Sequence, residues 1–268
     1  MKSAGAVQEL NIYPVKSCQG QALKVMNITL EGPEGDRQWM IVDEKGEFIT
    51  QRTVPKLATV QAMSNEQGLN LALGKQFFVV PVKNSLNRTL NVSVWGEAVE
   101  AALEPDLFSQ ALSQYLGINC RLVRYTSVSK RLVPWQQEGE WQPEVRFADA
   151  RPLSLINAKS LEDLNSKLGA PVGLERFRGN IVFNGSQAFE EDRWQRIRIG
   201  EVTFAQPKLC ARCKIITIDQ KTGASQGAEP LKTLSTYRRD GNKVNFGVLW
   251  IPENPGRISL GDAIEILA

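Results

Sequence analysis

The chain has 268 residues, 42% of them hydrophobic, enough for one large domain or two ordinary ones with a substantial core. Its 32 basic and 29 acidic residues leave a net charge of +3, too small to announce a nucleic-acid polymer or a membrane surface as partner. With no histidine and only 4 cysteines, Ser-His-Asp and Cys-His catalysis, Cys2His2 zinc and a disulfide framework are excluded. Any catalysis must use thiolate, carboxylate, lysine or a cofactor.

The N-terminal MKSAGAVQELNIYPVKS lacks the apolar core of a signal peptide, and no apolar run approaches the roughly 18 residues that span a bilayer. A soluble, cytoplasmic protein is the expectation. ELNIYPVKS predicts a strand running into a turn at Tyr13-Pro14, and LKVMNITLEG a second strand. RQWMIVDEKGEFITQ predicts a hairpin turning at Asp43-Glu44-Lys45-Gly46. LATVQAMS, LNLAL, FFVVPV and LNVSVWGEAVEA continue the β pattern. Pro105-Asp106 to Leu116 has helical apolar spacing and ends at Gly117, and AKSLEDLNSKLG predicts a second helix capped by Asn157 and closed by Gly169. Strands resume in NIVFNG, IRIGEVTFA, CKIITID, VNFGVLW and RISLGDAIEIL. The fold class is therefore mainly β (α+β), with few helices, in sandwich or barrel sheets rather than βαβ units. The expected division is a β-rich unit over residues 1–100 and a mixed, mainly β unit over 101–268. Within the second unit SVSKRLVPWQQEGEWQPEVRFADARP has no clear period, and with Trp135 and Trp141 it reads as a roof over a pocket.

Two cysteines stand two apart in PKLCARCKIITID. Four-cysteine zinc needs a second such pair, but Cys18 and Cys120 are single; plant-type iron–sulfur spacing is absent as well. A thiol redox pair stays open, although its usual strand-to-helix setting is missing, and so does burial of two small apolar side chains. Lys16-Ser17, Asp36-Arg37, Gln51-Arg52 and Arg176-Phe177-Arg178-Gly179-Asn180 supply cations and turns of the kind that clamp a phosphate or pyrophosphate. No Walker loop or Gly-x-Gly-x-x-Gly makes that ligand a conventional nucleotide.

IYPVKSCQG, GDRQWMIVDEKGEFITQR, ERFRGNIVFNG followed by EEDRW, LCARCKIITIDQKTG, PLKTLSTYR, FGVLW and ISLGD occur in that order. Together they resemble the MOSC-domain proteins, in the branch with an N-terminal MOSC-associated β-barrel that includes the mitochondrial amidoxime-reducing component and bacterial relatives acting on N-hydroxylated bases. The resemblance covers essentially the whole chain. It implies a molybdenum–molybdopterin cofactor between the two β-rich units, with Cys213 as the thiolate ligand of molybdenum, a role that suits a soft sulfur donor. Lys16, Ser17, Arg37, Arg178 and Asn180 would hold the pterin or its phosphate, with Arg52 of the clamp, and Arg212 flanks the metal ligand. Asp149, in FADARP, falls on a cofactor-contacting stretch and is the candidate proton-handling carboxylate. Ala150-Arg151 replaces the small hydroxyl residues of eukaryotic relatives there, leaving backbone contacts.

The implied reaction is two-electron reduction of N-hydroxylated bases, amidoximes or hydroxylamines. The sequence stops at GDAIEILA, where the barrel is expected to close, so electrons would come from a separate flavin or iron–sulfur protein or from a further part of a longer gene product. A monomer is expected, and pyridoxal-phosphate binding is a family-level association. A persulfide sulfur carrier using Cys213 and a non-catalytic cofactor-binding module are the rival readings.

Overall fold

A computed structural model describes residues 2–82, 88–132 and 143–268. The protein is mainly β, and its organising element is a closed barrel of 7 strands. Strand Lys2–Ile12 lies between Ile181–Phe183 and Ala263–Ile266, and the circuit continues through Arg196–Ile199, Val202–Arg212 and Lys243–Pro252 to Leu153–Asn157. Leu153–Asn157 pairs parallel with Ile181–Phe183 and so closes the ring; the other barrel pairs are antiparallel. Closure leaves the barrel no free edge, and alternate residues point inward. Leu10, Leu155, Phe183, Ile197, Phe204, Val248, Trp250 and Ile264 fill the interior. Each large side chain so buried contributes about 1.5–3 kcal/mol.

The remaining strands lean on this barrel. Trp39–Val42, Arg121–Arg124, Glu97–Leu103 and Thr89–Val94 form a four-stranded sheet in that order, and Gln61–Asn65, Gly68–Leu73 and Gln76–Pro81 form a meander. Helix α1 (Asp106–Leu116) packs Phe108, Ala111 and Leu112 against Leu69, Leu71 and Leu73 of the meander. Val25–Thr29 pairs with Gly256–Ser259, tying an N-terminal strand to a C-terminal one. The sheets thus do not divide the chain by sequence position: the first strand belongs to the barrel, and residue 100 lies inside Glu97–Leu103.

Helix α1 ends as expected at Gly117, whose φ of 77° is the left-handed conformation glycine adopts most readily. Helix α2 (Ala158–Asn165) is capped by Asn157, whose side chain accepts from the Lys159 amide at 3.0 Å. It stops at Ser166, short of the expected Gly169, as 167 and 168 continue in tight turns. Helix α3 (Leu231–Tyr237) was not legible, being 7 residues long and without a side-chain cap.

Two strand expectations are corrected. The second arm of the hairpin expected over RQWMIVDEKGEFITQ is reduced to a bridge between Val42 and Phe48, while Trp39–Val42 pairs along its length with Arg121–Arg124. CKIITID is not a strand: Lys214–Thr217 is a 3-10 turn that buries Ile216 and Thr217, and the strand, Val202–Arg212, contains Cys210 and ends just before Cys213. A run of β-branched residues is a weak strand signal when tertiary burial favours a turn.

Candidate functional site

The site lies where the turn after Lys2–Ile12, the strap 148–152, the 176–180 turn and the end of Val202–Arg212 converge on a cavity of about 280 Å³. That volume is near the low end of small-molecule pockets, roughly 300–1,000 Å³. Local backbone geometry aims the side chains. Val202–Arg212 is bulged twice against Lys243–Pro252, between Ala205 and Lys208 and between Leu209 and Ala211, and the stretch so bent brings Lys208, Cys210, Arg212 and Cys213 to the wall. Ser17, Arg37 and Arg178 hold φ values of 68°, 46° and 53°. Left-handed backbone at three lining residues is strain that the surrounding contacts must hold.

Those contacts are specific. The Tyr13 ring is stacked between two guanidiniums, Arg37 and Arg178, each 4.3 Å from its centroid. Asp36 accepts from the Tyr13 amide at 2.7 Å and pairs with Arg37 at 2.6 Å, and Arg37 Nη2 donates to the Arg178 carbonyl at 3.2 Å. Arg178 Nη1 donates to the Cys18 carbonyl at 2.6 Å. Burial pushes the Arg178 guanidinium down to about 10, against the pull of Tyr13. A desolvated cation of this kind is poised for an anion.

Lys16, 5% exposed, donates to the Phe147 carbonyl at 2.7 Å and forms an ion pair with Asp149. Burial pushes the Lys16 ammonium down, although Asp149 pulls it back up. Burial alone would raise the Asp149 carboxyl; Lys16, the Trp95 indole N–H and Arg52 outweigh it and hold the group well below the ordinary carboxylate range. Its side chain, 58% accessible, lines the cavity. The strap is pinned by Arg131, which donates to the carbonyls of Arg146 at 3.0 Å and Ala148 at 2.5 Å, and by the Arg146–Glu31 pair at 3.0 Å.

The two cysteines of the motif differ in their surroundings. Cys210 is 8% exposed and burial pushes its thiol up. Cys213, at the strand end, is half-buried, lines the cavity, and receives a hydrogen bond from Arg52 Nη1 at 3.9 Å.

Of the residues singled out from the sequence, Lys16, Ser17, Arg37, Asp149, Arg178, Asn180, Arg212 and Cys213 all line this one cavity, and Arg52 stands at its edge through Cys213. Two roles narrow. Asn180 spends its amide on protein, donating to the Asn11 carbonyl at 3.1 Å and accepting from the Ser154 amide at 3.1 Å, so it braces the wall. Asp149, held ionised, suits accepting a hydrogen bond and orienting Lys16 rather than donating a proton. Trp135 and Trp141 lie outside the described residues. Arg176 reaches the cavity wall, but its guanidinium is taken by Asp219 at 3.3 Å and by Gln226. Thr50, Lys208 and Lys243 also line the cavity and were not singled out from the sequence; Lys208 and Lys243 come from the strands Val202–Arg212 and Lys243–Pro252.

These residues fit an anionic pterin with a metal. Lys208 and Lys243 join Lys16, Arg37, Arg178 and Arg212 on the wall, with Asp149 the lining carboxylate. Two buried polar atoms of lining residues, Ser154 Oγ and Arg212 Nη2, have no hydrogen-bond partner among the described residues, and orphaned atoms at a cavity call for a ligand. Arg212 is otherwise fixed by the Phe177 carbonyl at 2.6 Å and the Phe246 carbonyl at 2.8 Å. Among the described residues no three His, Cys, Asp or Glu side chains converge. Cys213 alone can serve a metal whose other ligands arrive with an organic cofactor.

Two family models match the chain: the MOSC N-terminal beta barrel domain over residues 4–119 and the MOSC domain over residues 142–265. The mouse protein named mitochondrial amidoxime-reducing component 1 is 31% identical, over 100% of this chain and 84% of its own length. Rat mitochondrial amidoxime reducing component 2 is 33% identical over 98% of the chain and 84% of its length. A rice protein named molybdenum cofactor sulfurase is 34% identical over 91% of the chain, which spans only 32% of that longer protein. Models, relatives and barrel agree, and the chain belongs to the MOSC-domain family, in the branch that carries the MOSC N-terminal β-barrel domain.

Proposed function

We propose that this protein is a molybdenum-cofactor-dependent oxidoreductase that reduces N-hydroxylated bases, amidoximes or hydroxylamines to the corresponding amines or amidines. The observation that carries the reading is the meeting, on one cavity, of a half-buried thiol with the cations Lys16, Arg37, Arg178 and Arg212. Bound there, molybdenum–molybdopterin supplies the oxygen-accepting chemistry by which N–OH, two electrons and two protons become N–H and water.

The chain's own residues bind and orient. Cys213 is the metal ligand, and Arg52 donates to its sulfur at 3.9 Å and fixes its position. Arg37 and Arg178, locked face to face across Tyr13, take the phosphate with Lys16 and the Ser17 turn. Arg212 flanks the ligand, with Nη2 the group left to hydrogen-bond the cofactor. Asp149 fixes Lys16 and accepts a hydrogen bond from bound substrate; protons arrive through water. The Lys16 amine, engaged by Asp149 and Phe147, is not assigned a pyridoxal-phosphate Schiff base. A cytoplasmic monomer receiving electrons from a separate flavin or iron–sulfur protein completes the proposal. Among the described residues no helix is long and apolar enough to cross a membrane.

The likeness to a protein named molybdenum cofactor sulfurase favours a second reading, in which Cys213 carries a persulfide. Protein from a cofactor-competent host, assayed with a chemical reductant and benzamidoxime, separates the two. Metal, pterin and benzamidine formation support the reductase, whereas a metal-free chain bearing one extra sulfur atom on Cys213 supports the carrier. A chain with neither activity nor persulfide is a binding module.

A further inference from the structure

The hairpin joining Thr89–Val94 to Glu97–Leu103 turns on two residues, Trp95 and Gly96, with φ values of 56° and 83°. Positive φ at both positions marks a type I′ turn, whose first position favours Asn, Asp or Gly. A tryptophan there is a strained choice, and backbone strain of this kind gathers at functional sites. The indole is also not tucked away: 52% of the residue is exposed.

Its contacts lead to the site. Trp95 Nε1 donates to Asp149 Oδ1 at 3.0 Å, and the Arg52 guanidinium lies 4.5 Å from the indole centroid while its Nη1 reaches Cys213 Sγ at 3.9 Å. Phe48 packs on the indole with centroids 5.2 Å apart and interplanar angle 57°. One guanidinium therefore separates the exposed indole from the thiol, and the turn is held by groups of the site itself. A packing role would bury the ring; a turn role would not use Trp.

We propose that Trp95 is the specificity-determining wall of the substrate site: its exposed indole surface packs against the conjugated plane of a planar N-hydroxylated substrate. Arg52, which touches both the indole and Cys213 Sγ, sets that surface beside the thiol. The class selected is aryl amidoximes and N-hydroxylated nucleobases, over aliphatic N-hydroxy compounds that offer no π surface. This rests on the reductase reading above.

Benzamidoxime and acetamidoxime share the reacting group and differ only in the ring. In the holoprotein, Trp95→Asn installs the residue the turn prefers, so the hairpin keeps its fold, and Trp95→Phe keeps a ring without the N–H. The ratio of kcat/KM for benzamidoxime over acetamidoxime is expected to fall about tenfold in Trp95→Asn, chiefly through KM for benzamidoxime, and to be largely kept in Trp95→Phe. An unchanged ratio in Trp95→Asn, or an equal fall in both variants, overturns the proposal. If the wild type reduces neither compound, the reductase reading fails and calorimetric titration with adenine, a planar neutral base, judges the platform alone. Adenine affinity about tenfold weaker in Trp95→Asn and kept in Trp95→Phe supports it; no binding to the wild type, or equal affinities, overturns it.

Discussion

Arg178→Met separates a residue kept for a ligand from one kept for the fold. Burial lowers the Arg178 guanidinium from 12.5 to about 10, and at 1.36 kcal/mol per unit holding the charge there costs about 3 kcal/mol. Against it stand one charged hydrogen bond, to the Cys18 carbonyl at 2.6 Å, and the stack on Tyr13. These contribute about 1.5–3 and 0.5–2 kcal/mol. The terms nearly cancel. Met keeps the apolar stem, so cofactor-free Arg178→Met should unfold in urea within about 1–2 kcal/mol of the wild type, unlike the 3–5 kcal/mol of a broken buried ion pair. Cofactor binding should suffer instead: a charged pair to phosphate contributes about 1.5–3 kcal/mol, about 10- to 100-fold in affinity. The assay is molybdenum and pterin per chain after exhaustive dialysis, beside urea titration of protein from a cofactor-deficient host. A loss of more than about 3 kcal/mol with unchanged occupancy would make Arg178 structural and refute the clamp.

Three further outcomes are expected. Burial raises the Glu191 carboxyl from 4.5 to about 7, and Glu191 Oε2 is buried without a partner among the described residues. The folded state then binds the extra proton, so stability falls as pH rises from about 4.5 to about 7 and stays lower above. Glu191→Gln should gain about 3 kcal/mol at pH 8 and little at pH 4, by urea unfolding; equal gains at both would contradict this. Lys16→Met removes the cation that holds Asp149 ionised, so in a carboxyl NMR titration Asp149 should protonate at higher pH in the variant, and an unmoved midpoint would count against the pair. Cys210→Ala, which loses a neutral buried thiol, should keep more metal and turnover than Cys213→Ala; the reverse order would exchange the roles of the two cysteines.

Local chemistry was the most legible part of this fold. Gly117 and Asn157 marked helix ends because left-handed glycine and a side-chain cap are written in single residues. The cations of the cleft were legible as types, and the ordered motifs brought the family with them. What long-range pairing decides was not legible. Nothing in KSAGAVQELNI says that it closes a barrel with residues 181–183 and 263–266, and KIITI reads as strand until its burial in a 3-10 turn is known. Asn180 looked like a ligand contact because its type allows it; only the partners of its amide show that it braces the wall. Trp95 went unread although its signal was present, a tryptophan before glycine between two alternating strands, where turn chemistry favours asparagine.

The central claim is that Cys213 is the protein's ligand to a molybdenum cofactor used to reduce N–OH groups. Molybdenum content and benzamidoxime reduction, measured side by side on wild type and Cys213→Ala from one cofactor-competent host, test it most directly. Metal and turnover are expected in the wild type, and loss of turnover in Cys213→Ala. A wild type without molybdenum, or a Cys213→Ala protein with full metal and full turnover, would contradict it.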